Sequence, residues 1–281
     1  MSVYRPHRSA LYLPASNSKA LEKAKTLPCD VVILDLEDAV APDAKAAARE
    51  QAVAAVRAGG FGERKLFVRA NGLNTEWGEA DLAALATVAP DAVLLPKVDS
   101  AADIDAYARL LPNPAVPIWV MIETAKSIFN LNEIGAASAK GRLAGFVAGT
   151  NDLAKEMGAT LDLGRAPFLG MLGLMVAAAR AHGLLILDGV FNDLSDMDGF
   201  SAQARQGVQF GFDGKTLIHP SQVAPCNEAF TPDEKAVTWA RKVIEAFDEP
   251  ANADKGAIRV EGQMVERLHL HQARRVLSMA G

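Results

Sequence analysis

The sequence predicts a single (β/α)8 TIM barrel with a C-terminal helical extension. Three observations lead there. Strand-like and helix-like runs alternate, and the strand-like runs number eight. Most of those runs are near-continuous Val, Ile and Leu, which suits a parallel sheet covered on both faces rather than an antiparallel sheet with one wet face. The length of 281 residues, half of them hydrophobic, suits one large domain of this kind. An open doubly wound sheet uses the same local pattern. Its first strand–helix junction would carry a G-x-G-x-x-G turn, and the segment LPASNSKA has none.

The predicted strands fall at residues 10–14, 31–36, 66–70, 92–97, 118–122, 145–149, 184–187 and 210–217. Pro42 opens a helix that runs to about Arg57 and stops at Gly59 and Gly60. Residues 166–182, rich in Ala, Leu and Met, form another that ends at Gly183. After Pro220 the pattern changes. Residues 232–247 place Val237, Ala240, Ile244 and Phe247 on one stripe of an amphipathic helix. A polar loop with Pro250, Asn252, Asp254 and Gly256 follows, and residues 263–279 read as a last helix. The division is therefore a barrel over 1–225 and an extension or lid over 226–281.

The formal charge of −5 argues against a nucleic-acid or anionic-membrane partner. Two cysteines make no disulfide framework and fit a reduced, cytoplasmic setting. The N-terminal apolar run is too short for a signal peptide, and no stretch reaches the length of a membrane span.

In a parallel barrel the reactive groups sit where strands end. Here those positions are strongly polar: Asp35, Glu37 and Asp38 after strand two, Arg69 and Asn71 after strand three, Lys97 after strand four, Glu123 after strand five, Asn151 and Asp152 after strand six, Asp188 and Asn192 after strand seven, Asp213 and Lys215 near strand eight. Converging acids need a cation between them or a shared proton. Hard oxygen donors suit Mg²⁺ or Mn²⁺, and the lack of a Cys/His cluster argues against structural zinc. Plainer roles stand beside these. Asp188 reads best as a helix cap and Asp152 equally well as a cap or a ligand, while a counter-ion role for Glu37 or Asp38 is the plainer alternative for Arg69. Glu123 is a poor cap at the end of the apolar run PIWVMI, so it is the strongest ligand candidate. His182 and His219 read as structural. His269 and His271 fall on different faces of the last helix. The segment Asp213-Gly214-Lys215-Thr216 is not a P-loop, because position 209 is Gln where that motif has Gly.

The ordered segments RSALYLPAS, VVILDLEDAV, VRANG, LLPKV, VMIET, GTNDLA, DGVFNDLSD and GFDGKTLIHPSQV resemble the citrate lyase β-subunit-like CoA-ester lyases of the HpcH/HpaI aldolase set, over about residues 8–225. The resemblance implies a metal-dependent barrel that cleaves 3-hydroxyacyl-CoA esters of the malyl-CoA or citramalyl-CoA type to acetyl-CoA and a 2-oxoacid. It implies metal ligands at Glu123 and Asp152, a carboxylate-binding Arg69, an acid pair at Glu37 and Asp38, and a CoA-arm contact at Arg8. Where relatives carry a C-terminal Gly-x-Met-Ile-Asp, this chain has Gly262-Gln263-Met264-Val265-Glu266, so Glu stands in the acid/base position. Homotrimers, or hexamers made of trimers, are also implied. An aldolase of free 2-oxoacids, a malyl-CoA thioesterase and a carrier-dependent citrate lyase subunit are the alternatives.

Overall fold

The computed structural model describes residues 6–252 and 254–280. They contain a closed barrel of eight parallel strands: β1 (Ser9–Pro14), β2 (Val31–Asp35), β3 (Lys65–Arg69), β4 (Ala92–Leu95), β5 (Ile118–Ile122), β6 (Leu143–Ala148), β7 (Leu185–Asp188) and β8 (Gly214–Leu217). Strand β8 closes against β1, with Ser9 opposite Lys215. Helices such as Lys45–Ala58, Ala101–Leu110, Leu169–Ala181 and Met197–Phe210 link successive strands.

Side chains alternate across a strand, so residues two apart share a face. Ala10, Val31, Ile33, Phe67, Leu94, Trp119, Met121, Val147 and Leu187 pack into one cluster inside the barrel. Gly145 is part of that packing, because a Cβ there would lie 2.6 Å from the Trp119 ring. The same alternation decides which strand-end residues face the barrel mouth. Asp35 follows Val31 and Ile33, Arg69 follows Phe67, and Glu123 follows Trp119 and Met121. Asp188 lies one residue past Leu187 and points out of the barrel.

The chain divides into two compact units, one spanning His7–Asn227 and a smaller one built from residue 228 onward. In the smaller unit the helix Glu234–Asp248 packs on the helix Arg267–Ala280, burying Ala240, Val243, Phe247, Leu270 and Ala273. Three expectations are corrected. The eighth strand begins at Gly214, not at residue 210, because Phe210 ends a helix whose cap is the left-handed Gly211. The last helix begins at Arg267, not at residue 263. Between the two helices lies an antiparallel hairpin, β9 (Ala257–Val260) and β10 (Gln263–Glu266), so Glu266 ends a strand and does not lie within the last helix. Asp188 does not cap the next helix, whose N-cap is Asp196.

Cys29 and Cys226 are buried and free. Among the described residues no helix is long and apolar enough to cross a membrane.

Candidate active site

The C-terminal ends of the strands surround a cavity of 260 Å³ lined by Tyr12, Asp35, Asp38, Arg69, Met121 and Asp152, among others. Arg69 organises one side of it. Its guanidinium makes a two-pronged contact with Asp35, Nε to Oδ1 and Nη2 to Oδ2, each 2.7 Å. Asp35 and Arg69 are register partners on β2 and β3, so the pair is built by the sheet itself. The remaining Nη1 lies 2.8 Å from Glu37 Oε2 and 3.4 Å from Asp38 Oδ2. The guanidinium carbon lies over the Tyr12 ring, 4.8 Å from its centre. Burial alone would raise the Asp35 carboxyl, but the Arg69 charge and its hydrogen bonds outweigh burial and hold it below its ordinary range. Arg69 itself stays charged, since burial is outweighed by Asp35, Tyr12 and Glu37.

For Glu37 the balance falls the other way. Burial pushes its carboxyl up to about 8, against the pull of Arg69 and with the push of Glu123, Asp38 and Asp35. Glu123, with only 1% of its surface exposed, is likewise raised, by burial first and by Asp152. Its Oε1 accepts a 2.7 Å hydrogen bond from the Lys97 backbone N–H, while its Oε2 is buried and accepts none. Lys97 holds a left-handed backbone, φ 52°, unusual for a residue with a side chain. Its ammonium lies between the two acids, 3.5 Å from Glu123 Oε1 and in contact with Asp152 Oδ1. Asp152 is in the first turn of the helix Thr150–Met157 and makes no capping bond, so the capping role is not the one it fills.

The mouth therefore gathers five carboxylates, from Asp35, Glu37, Asp38, Glu123 and Asp152, around two cations, Arg69 and Lys97. That surplus, together with the unbonded Oε2 of Glu123, fits a divalent cation held by hard oxygens. Among the described residues no group of three or more His, Cys, Asp or Glu converges as a metal cage. Two carboxylates are nonetheless the usual protein share for Mg²⁺, which keeps several waters or substrate oxygens. Glu123 and Asp152 are the residues that would hold it.

The structure thus brings together Glu37, Asp38, Arg69, Glu123 and Asp152. It places Arg8 elsewhere. Arg8 precedes β1, at the opposite end of the barrel from the mouth, and grips Asp30 with Nε and Nη2 at 2.9 and 2.8 Å. Glu266 lies in the smaller unit, where its backbone N–H donates to His269 Nδ1 at 2.9 Å. Three groups gain a role here that the sequence did not assign, although Asp35 and Lys97 stand among its polar strand ends. Asp35 is the main partner of Arg69, and strand alternation from Ile33 was the signal for it. Lys97 bridges the two ligand candidates, and Tyr12 floors the guanidinium. Asp188 instead belongs to a buried ion-pair cluster outside the barrel, with Arg165 Nη1 at 2.6 Å and Lys215 Nζ at 3.3 Å.

Known proteins share the sequence and the fold of this chain. The HpcH/HpaI aldolase/citrate lyase family model matches residues 8–220. A (3S)-malyl-CoA thioesterase of Cereibacter sphaeroides is 46% identical over 98% of this chain and 95% of its own. An L-malyl-CoA/beta-methylmalyl-CoA lyase of the same species is 36% identical over the same shares. Among solved structures, the protein CitE from Mycobacterium tuberculosis, in complex with magnesium, acetoacetate and coenzyme A, superposes with a TM-score of 0.76 at 33% identity and covers 98% of both chains. The citrate lyase beta subunit of that organism, complexed with oxaloacetate and magnesium, gives 0.71 at 32% identity over 83% of this chain and 100% of its own.

Proposed function

The chain belongs to the HpcH/HpaI aldolase/citrate lyase family, enzymes of the carbon–carbon lyase and aldolase type, and from that premise we propose that it is a Mg²⁺-dependent lyase of a malyl-CoA-type thioester. The observation that carries this reading is the carboxylate surplus at the barrel mouth, with the buried, unbonded Oε2 of Glu123 beside Asp152 and Arg69 opposite. Glu123 and Asp152 would hold the magnesium ion, which would supply Lewis-acid polarisation of the substrate's hydroxyl oxygen. Mn²⁺ satisfies the same donors. Arg69, braced by Asp35, offers its Nη1 edge, which it shares with Glu37 and Asp38, to a carboxylate or enolate oxygen. Glu37 takes the 3-hydroxyl proton as the bond between C2 and C3 breaks. The products are glyoxylate and the enolate of acetyl-CoA, whose carbon must then be reprotonated. The family resemblance assigns that second proton to Glu266, in an extension over 226–281 that acts as a lid within a homotrimer or hexamer. It also assigns the CoA arm to Arg8, which in this chain would require a contact away from the mouth. Free, buried cysteines suit a cytoplasmic enzyme.

Hydrolysis of the same thioester to malate and free CoA is the second reading, favoured by the 46% identity with the thioesterase. One assay tests both. Purified enzyme with (3S)-malyl-CoA and Mg²⁺ should release equimolar glyoxylate and acetyl-CoA. Malate and CoA without glyoxylate would replace the lyase by the thioesterase, and no consumption of the ester would overturn both.

A further inference from the structure

A lysine buried in the first turn of a helix is costly twice. Its ammonium leaves water, and the helix N-terminus already carries partial positive charge. Lys45 is such a residue, 5% exposed and the first residue of the helix Lys45–Ala58. All of its donors are nevertheless engaged. Nζ donates to Leu36 O at 2.9 Å, to Glu37 O at 3.0 Å and to Asn71 Oδ1 at 2.8 Å. The Trp77 ring covers the ammonium, 4.9 Å from its centre. Asn71 is fixed in turn, because its Nδ2 donates to Leu36 O at 2.8 Å and to Asp81 Oδ2 at 2.6 Å, and Arg49 Nε holds Asp81 Oδ1 at 2.7 Å.

Two of the three acceptors are consecutive backbone carbonyls, those of the residue before Glu37 and of Glu37 itself. The turn leaving β2 is thus held from two sides. Asp35 accepts from the backbone N–H groups of Glu37 and Ala39, and Lys45 grips the carbonyls. We propose that Lys45 is a positioning residue, which with Asn71 locks the turn after β2 so that the Glu37 carboxylate is aimed at Arg69 and the cavity. It touches no reacting atom. The kinetic consequence rests on the role given to Glu37 above, while the geometric one does not.

The test has two arms on Lys45→Met, which keeps the apolar stem and removes the charge. Amide hydrogen exchange at Glu37 and Ala39 should quicken at least tenfold, with protection of the β2 amides from Val32 to Leu34 unchanged. In malyl-CoA turnover, kcat should fall about a hundredfold with KM little altered, as for a misaimed catalytic group. A small primary amine such as methylamine should recover part of the kcat lost in Lys45→Ala by refilling the ammonium site. Should Lys45→Met not fold, Lys45→Gln carries the same expectations at smaller size. Unchanged exchange at Glu37 and Ala39, or protection lost equally across the barrel strands, would overturn the positioning role. Faster exchange at the turn with wild-type kcat would uphold the lock but remove Glu37 from the chemistry. A wild-type protein inert towards malyl-CoA would count against the proposed function alone, leaving the exchange arm decisive.

Discussion

At the scale of single residues, the site turns on how Arg69 spends its donors. Two go to Asp35 and one edge remains for Glu37, Asp38 and a ligand. Lysine offers one point charge and cannot brace on Asp35 while reaching the cavity. Arg69→Lys should therefore lower kcat/KM by roughly tenfold to a thousandfold, and wild-type kcat/KM in that variant would reduce Arg69 to a structural counter-ion. Glu37 is the group raised to about 8 by burial, despite Arg69. As a base it must be ionised, so kcat/KM should rise with pH on a limb at or below about 8, since a bound divalent cation only pulls the carboxyl down. Glu37→Gln should remove that limb and cost roughly 10²–10⁴ in kcat. A limb that survives in Glu37→Gln would assign the proton to another acid. The polar character of these positions was legible in the sequence, as was Glu123. The Asp35–Arg69 pairing was not, because it depends on two strands lying in register.

At the scale of elements, the junction between β6 and the helix Thr150–Met157 fixes Glu123. Gly149 sits there, and a Cβ on it would lie 2.3 Å from Glu123 Cβ and 2.8 Å from Oε2. Gly149→Ala should displace the carboxylate, costing about 1–3 kcal/mol of stability and about a hundredfold in turnover. Full activity would mean that Glu123 has room to move without consequence. The hairpin in the smaller unit went unread for a local reason. Ile258, Val260 and Val265 carry the strand alternation, while Glu261 and Gly262, at φ 48° and 81°, make the two-residue turn. The polar residues around them read instead as loop and helix. Glu266→Ala should slow carbon–carbon cleavage about a hundredfold with little change in melting temperature, if reprotonation is its task as the family resemblance implies. Unchanged turnover in Glu266→Ala would leave Glu37 as the sole proton carrier.

At the scale of the whole molecule, the barrel was legible because eight buried strands repeat one signal, and a parallel sheet leaves a plain hydrophobic trace. What the trace could not give is the charge balance at the mouth, which emerges only once five strand ends and their loops converge. The imbalance makes a prediction about stability. Glu37 ionises at its ordinary value of 4.5 in the unfolded chain and at about 8 when folded, so the folded state binds the extra proton between those values. In chelator, its contribution to stability should therefore fall as pH rises through that window, and Glu37→Gln should flatten the fall. Magnesium should offset the loss by neutralising the surplus. The most direct measurement is calorimetric titration of Mg²⁺ into exhaustively chelated protein at pH 7.5, paired with malyl-CoA turnover at each addition. Saturable binding that restores turnover in step, and is absent from Glu123→Ala and Asp152→Ala variants with native circular dichroism, is the result predicted. Full turnover in the chelated protein, or undiminished binding in both variants, would contradict it.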